Sequence, residues 1–257
     1  MARVLVTGSA DGLGQMAARL MVADEHRVVL HARNSERAAQ ALAAVPGAET
    51  AVTGDLSSIR ETRDLADQIN RLGAFDAIIH NAAIGYRERR RVETVDGLSH
   101  VFAINTLAPY ILTALINRPK RLVYLSSGLH RSGDSSLHDL LWQERPWNGS
   151  SAYADTKLHD VILAFAVARK WLNVLSNALE PGWVPTKMGG PGAPDDLEAG
   201  PKTQVWLATS QDPAACVTGQ YFYHLKRRAA DPAASDPETQ ERLLAECARL
   251  SGVPFPD

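Results

Sequence analysis

The chain has almost no cysteine: two in 257 residues, Cys216 and Cys247. Two such isolated thiols build neither a disulfide framework nor a metal-ligand set, so no metal is expected and a reducing, cytoplasmic setting is. Charge of one sign is equally scarce, with a formal net charge of −2, which argues against non-specific nucleic-acid binding. Arg87, Arg89, Arg90 and Arg91 are interleaved with Glu88 and Glu93 and read as a solvated loop. Long hydrophobic runs are missing as well. The nearest to one, Val101 to Ile116, contains Asn105, Thr106 and Pro109 and falls short of the roughly 20 apolar residues that span a bilayer. It reads as a buried helix, and no membrane partner is expected. A strand-like run, Arg3 to Val6, begins at once and leaves no room for a charged and apolar leader.

What is present is alternation. Short β-branched runs (Val4-Leu5-Val6, Arg27 to Leu30, Glu49 to Val52, Ala77 to His80, Arg121 to Leu125, Val174 to Leu179) alternate with longer amphipathic ones. Helices are expected from Gly12 to Ala23, Ser35 to Val45, Ser58 to Leu72, Asp96 to Ile116 and Ser150 to Trp171. Apolar strands joined through helices pair in parallel with right-handed crossovers, so the expected class is α/β, a doubly wound parallel sheet in three layers, the Rossmann fold. No linker interrupts it, and residues 1–257 are read as one domain. Within it lie a Gly/Pro-rich substrate loop at about 183–200, a short helix from Lys202 to Ser210, a strand near Gln220 to Tyr223, and a tail helix at about 237–250 with Pro237 at its start. The ligand of such a sheet lies at the carboxyl ends of its strands.

Thr7-Gly8-Ser9-Ala10-Asp11-Gly12-Leu13-Gly14 follows the first strand and opens the first helix. Glycines there allow a tight turn and close approach of backbone to a pyrophosphate, while the helix N-terminus supplies N–H groups and partial positive charge. No Lys follows Gly14, so a dinucleotide is favoured over a nucleoside triphosphate. The second strand ends His31-Ala32-Arg33-Asn34 without a carboxylate to grip ribose hydroxyls. Arg33 is available to a 2′-phosphate, so NADP is expected rather than NAD, although Arg33 also suits a plain surface position and Asp11 opposes extra phosphate charge. Asp55-Leu56 and Asn81-Ala82-Ala83 end the third and fourth strands, placing an acid and then small residues beside the ligand.

Tyr153 and Lys157 stand four apart in an apolar-periodic segment, a spacing that stacks them on one helix face. A phenol of pKa about 10 is a poor acid/base at neutral pH, and a fixed ammonium nearby lowers that value. A surface Tyr–Lys pair has the same spacing, so the surrounding motifs decide.

Taken in order, the glycine turn, Asp55, Asn81-Ala82-Ala83, Asn105, Ser126-Ser127, Tyr153 with Lys157, and Pro181-Gly182 resemble the short-chain dehydrogenase/reductase family over about residues 3–188. The resemblance implies that Tyr153 protonates the substrate oxygen as hydride arrives, or removes the alcohol proton in reverse. Lys157 would lower its pKa and hold the nicotinamide ribose, and Ser127, with Ser126 as competitor, would polarise the carbonyl. Asn105 would support a water leading from Lys157. Gly8, Ser9, Asp11, Gly12, Leu13, Gly14, Arg33, Asn34, Asp55, Leu56, the Asn81-Ala82-Ala83 run, Pro181, Gly182, Val184 and Thr186 would contact the dinucleotide together with Tyr153 and Lys157.

Two departures stand out. Ser127 lies 26 residues before Tyr153, a longer spacing than is common in the family, which inserts Leu129 to Gly149 with His130, His138, Asp139, Trp142 and Trp147. That spacing, with Asp96-Gly97, is similar to the retinol-dehydrogenase-like branch. His130 is read as a loop or rim residue. The segment from Asn105 to Lys120 is short, trimming a helix that family members use for dimer packing, while the resemblance still implies a homodimer or homotetramer. Ser127, Leu129, Trp147, Trp183 and Met188 are the expected substrate contacts.

Together these readings predict an NADP(H)-dependent oxidoreductase acting on a small, partly apolar carbonyl or secondary alcohol. The alternative is a non-catalytic NADP(H)-binding regulator or scaffold, which needs the glycine turn but not Tyr153 and Lys157.

Overall fold

The computed structural model describes residues 1–256. From the N-terminus the chain alternates β1 (Arg3–Val6), α1 (Gly12–Ala23), β2 (Arg27–Ala32), α2 (Ser35–Ala44), β3 (Thr50–Thr53), α3 (Ile59–Arg71) and β4 (Ala77–His80). Next come α4 (His100–Phe102), a π-helical stretch Ala103–Leu107, α5 (Ala108–Leu115) and β5 (Arg121–Leu125). After a 3₁₀ turn at Gly128–Ser132 follow α6 (Gly149–Lys170), β6 (Leu175–Glu180), α7 (Lys202–Thr209), β7 (Tyr221–Tyr223), β8 (Lys226–Arg228) and α8 (Pro237–Ser251). The sheet order is β3-β2-β1-β4-β5-β6-β7-β8, parallel throughout except for the β7–β8 hairpin.

Strand alternation explains the layers. Val4 and Val6 of β1, Val28 and Leu30 of β2, and Ile79 of β4 pack with Ala17, Met21 and Val205 on one face. Leu5, Val29, Ile78 and Leu122 point the other way, against Leu65, Ile111, Val161 and Leu243. Both faces are covered, so the strands are apolar on both sides, as a parallel sheet requires. Helix α6 is buried nearly all round, because the 128–149 insertion and the tail helix cover what the sheet leaves open. The tail helix starts where Pro237 follows the capping Asp236, and Arg169 of α6 holds it through Gln240 at 2.7 Å.

Three local outcomes depart from the sequence expectations. The helix expected from Asp96 begins at His100, because residues 94–99 close a turn with a Glu93–Ser99 bridge. Within it the π-helical stretch displaces Asn105 from a regular turn. The antiparallel β8 was not foreseen; residues 224 and 225, both at positive φ, make its tight turn.

Candidate active site

The carboxyl ends of β1, β2, β4 and β5 open on a cavity of about 950 Å³. At its floor α1 begins with no side-chain cap: Asp11 occupies the capping position but makes no capping hydrogen bond. By contrast Asn34, Ser58, Asn148 and Asp236 cap their helices through side chains. The first N–H groups of α1 are thus left for an anionic ligand. Gly12, at φ +56, faces open space, whereas a Cβ on Gly14 would lie 2.4 Å from Asn81 Nδ2. One glycine opens the cradle and the other lets it close on β4. These features fit a dinucleotide phosphate.

The turn is held from behind. Gly8 N–H donates to His31 Nδ1 at 3.0 Å, and His31 Nε2 lies 3.0 Å from the Gly54 carbonyl, so the imidazole fixes the glycine turn to the end of β3. Its pKa is depressed by burial, in keeping with a neutral ring. Ser9 is fully buried, its hydroxyl donating to Val6 O at 2.9 Å and accepting from His31 N–H at 2.9 Å. Asn81 Nδ2 donates to Thr7 O and Gly8 O at 2.9 and 3.2 Å.

Gly8, Asp11, Gly12, Leu13, Arg33, Asp55 and Leu56 line the cavity, as do Asn81, Ala82, Ala83, Pro181 and Thr186. Asn34 instead caps α2 through Arg37 N–H at 2.9 Å. Val184 is buried and Gly182, at φ +89, turns the chain beside Asp195. Asp55 Oδ1 accepts from the Ser57 N–H and hydroxyl at 2.9 and 2.7 Å. Two cations that sequence reasoning missed also line the cavity: Arg37 and Lys187 reach Asp11 Oδ2 at 2.9 and 3.0 Å. Burial works against the Asp11 carboxylate, but these two partners hold it below the usual range.

Tyr153 and Lys157 line the same cavity from α6, with Lys157 Nζ 5.6 Å from the centre of the tyrosine ring. Lys157 Nζ donates to Leu125 O at 2.7 Å and to Asp160 Oδ2 at 2.8 Å. The ammonium was expected to bring the phenol down. Instead burial pushes Tyr153 above its ordinary value; Lys157 and a hydrogen bond with Ser127 draw it back, while Asp160 adds to the rise. The main reason is burial, which outweighs the ammonium, and the carboxylate of Asp160 offsets part of what Lys157 contributes.

Ser126 lines the cavity and Ser127 does not, and their hydrogen bonds differ. Ser126 is buried and donates to Lys157 O at 2.6 Å, tying β5 to α6. Ser127 is half-buried, caps the 3₁₀ turn by accepting from Leu129 N–H at 3.3 Å, and faces the phenol. Asn105 donates to Ile84 O and Thr156 Oγ1 and accepts from Ile84 N–H, at 3.0, 3.1 and 2.9 Å. It therefore clamps the β4 loop to α6. His130, expected on a loop or rim, is fully buried: Nδ1 meets Ser127 O at 2.8 Å, Nε2 accepts from Asp231 N–H at 3.2 Å, and Tyr221 packs on the ring.

The insertion is built around Arg145, which pairs with Asp134 and Asp155 at 3.3 and 2.9 Å and lies over the Trp142 ring. Trp147 donates to Glu88 O at 2.9 Å and packs on Trp142. Of the expected substrate contacts, Met188 lines the cavity with its sulfur 3.9 Å from the Tyr153 hydroxyl. Ser127, Leu129, Trp147 and Trp183 lie outside the lining, and Trp183 is 56% exposed. The Gly/Pro loop lies across the site: Lys187 reaches the glycine turn, and Tyr86 and Arg87 bond the Met188 and Gly189 carbonyls.

The short chain dehydrogenase family model matches residues 2–122. The chain is 47% identical to an uncharacterized oxidoreductase of Emericella nidulans over all of this chain and 99% of that one. It belongs to the short-chain dehydrogenase/reductase family. With Retinol dehydrogenase 13 of Homo sapiens it shares 32% identity over 98% of this chain and 85% of that one, a likeness to the retinol-dehydrogenase-like branch. A crystal structure of a Mycobacterium paratuberculosis protein superposes with a TM-score of 0.86 over all of this chain and 96% of that one, at 24% identity, which speaks for the fold. The family makes this chain an NAD(P)-dependent oxidoreductase that transfers hydride. Among the described residues no helix is long and apolar enough to cross a membrane.

Proposed function

We propose that this oxidoreductase uses NADP(H) and interconverts a carbonyl and a secondary alcohol on a small, partly apolar substrate, with Tyr153 as the proton-transfer residue. The observation that carries the reading is that Tyr153, Lys157 and the uncapped α1 turn open on one cavity. Gly12, Leu13 and the α1 N–H groups would hold the dinucleotide phosphates, and Lys157 the nicotinamide ribose; bound there, the nicotinamide supplies or accepts the hydride. Arg33 follows the end of β2, which carries no acid, and Arg37 stands in the first turn of α2, paired with Asp11; both line the cavity and support NADP over NAD.

In the reducing direction Tyr153 gives its phenolic proton to the substrate oxygen, and the Ser127 hydroxyl donates a hydrogen bond to that oxygen as charge develops on it. Lys157 places an ammonium behind the phenol and stabilises the phenolate left after transfer. Asn105 keeps the β4 loop against α6, so that the cavity wall stays in place. In the oxidising direction the phenolate takes the alcohol proton.

Turnover of NADPH against a panel of ketones and aldehydes tests the reading. Tyr153→Phe is expected to lower kcat by at least about a hundredfold while leaving NADPH binding intact; unchanged kcat would remove Tyr153 from the chemistry. Tighter binding of NADH than of NADPH would overturn the cofactor assignment on its own.

A further inference from the structure

Helix α6 carries an acid that the proposed chemistry does not use. Asp160 stands three residues after Lys157, on the same face of the helix, with its Oδ2 2.8 Å from Nζ. The two side chains are 4% and 3% exposed, and Lys157 is the one cation paired with Asp160 among the described residues. The carbonyl of Leu125 takes a second Nζ proton at 2.7 Å, and Lys157 also lines the cavity.

The other polar groups packed around the pair are uncharged. Tyr124 of β5 is held at high pKa by burial, with the Asp160 charge adding to it, and its hydroxyl lies 2.7 Å from Thr113 Oγ1 of α5. Thr113 Oγ1 in turn lies 3.1 Å from Nε2 of His80 on β4, a ring that burial keeps neutral. Tyr86 meets the Tyr153 ring edge-on from the β4 loop. Lys157 and Asp160 are therefore the two formal charges that Tyr153 feels most directly, and they oppose one another.

We propose that Asp160 is a positioning residue: it fixes the Lys157 ammonium and opposes its charge, so that it adds to burial in holding the Tyr153 proton for donation and biases the site toward carbonyl reduction. This rests on the reading of Tyr153 as the acid/base residue. Oxidation by the same site then needs alkaline conditions, where the phenol ionises.

The test reads the phenol itself. Full-length protein carrying ring-labelled tyrosine is titrated by NMR with NADP⁺ present, the Tyr153 signal being the one lost in Tyr153→Phe. In Asp160→Asn the signal should titrate about one pH unit lower or more, the usual size of losing a charge this close, and Asp160→Glu should restore the wild-type curve. A wild-type curve in Asp160→Asn overturns the inference. Because the titration needs no turnover, it stands apart from the kinetic result on Tyr153→Phe that decides the functional reading. Should Asp160→Asn fail to fold, Lys157→Met is compared with Lys157→Met/Asp160→Asn. The single variant should lose thermal stability and the double should regain it; no regain overturns the pairing.

Discussion

Two ion-pair systems flank one cavity and differ in how much water reaches them. At the glycine turn Asp11 is shared by Arg37 and Lys187, with side chains 49%, 31% and 84% exposed. On α6 the Lys157–Asp160 pair is almost wholly enclosed. Exposed pairs of the first kind contribute about 0–1 kcal/mol and exchange readily for other charges. A nucleotide phosphate entering beside Asp11 can thus recruit Arg37 or Lys187 at little cost. A pair of the second kind cannot give up one member without stranding the other. Hence the same chemistry, a carboxylate paired with a cation, serves as an exchangeable contact at one wall and as a fixture at the other.

The comparison breaks most visibly at Lys157. Replacing it with Met should destabilise the fold by about 3–5 kcal/mol, because Asp160 is left buried and unpaired; chemical denaturation measures this, and a loss under about 1 kcal/mol would put the inner pair in the class of the outer one. Next in size is the response of the enclosed interior to acid. His80 and His159 are pushed from 6.5 to about 3, in both cases by burial. The unfolded chain takes up these protons below 6.5 while the folded chain refuses them until about 3, so stability present above 6.5 is lost as pH falls through that window. Each histidine should contribute a slope of about 1.4 kcal/mol per pH unit. Asp160, raised by burial to about 6, acts in the opposite sense between that value and its ordinary 3.8. Denaturation of wild type and His80→Asn across the acid range isolates one histidine, and equal slopes would show that its ring is not held neutral. The smallest effect belongs to the outer pair. Asp11→Asn should change stability by less than about 1 kcal/mol and tighten NADPH binding by about fivefold, by freeing both cations. A loss of stability like that of Lys157→Met would erase the distinction between the two walls.

How far the sequence was legible follows the same line between local and long-range causes. Strands β1 to β6 were readable because each is a β-branched or apolar run between helical segments, and the glycine turn because its chemistry is local. β7 was expected near Gln220 to Tyr223, but the turn into β8 was not: His224 and Leu225 take φ of 46° and 65°, where Asn or Gly would have signalled it, and Lys226-Arg227-Arg228 shows no apolar alternation. The π-helical stretch was hidden for a different reason, since Ala103 to Leu107 reads as ordinary buried helix while Asn105 is tied to Ile84 and Thr156 from other elements. Lys187 and Asp11 are 176 residues apart, and no periodicity announces their meeting. Asp160 had a signal that went unused: an acid three places after a lysine, directly before the apolar run Val161 to Ala168.

The antiparallel strand β8 ends the sheet with Lys226, Arg227 and Arg228, all exposed. A second copy that tried to extend the sheet there would bring a row of like charges against its own twin. Such an edge repels its own kind, most strongly at low ionic strength, and leaves self-association to other faces of the molecule.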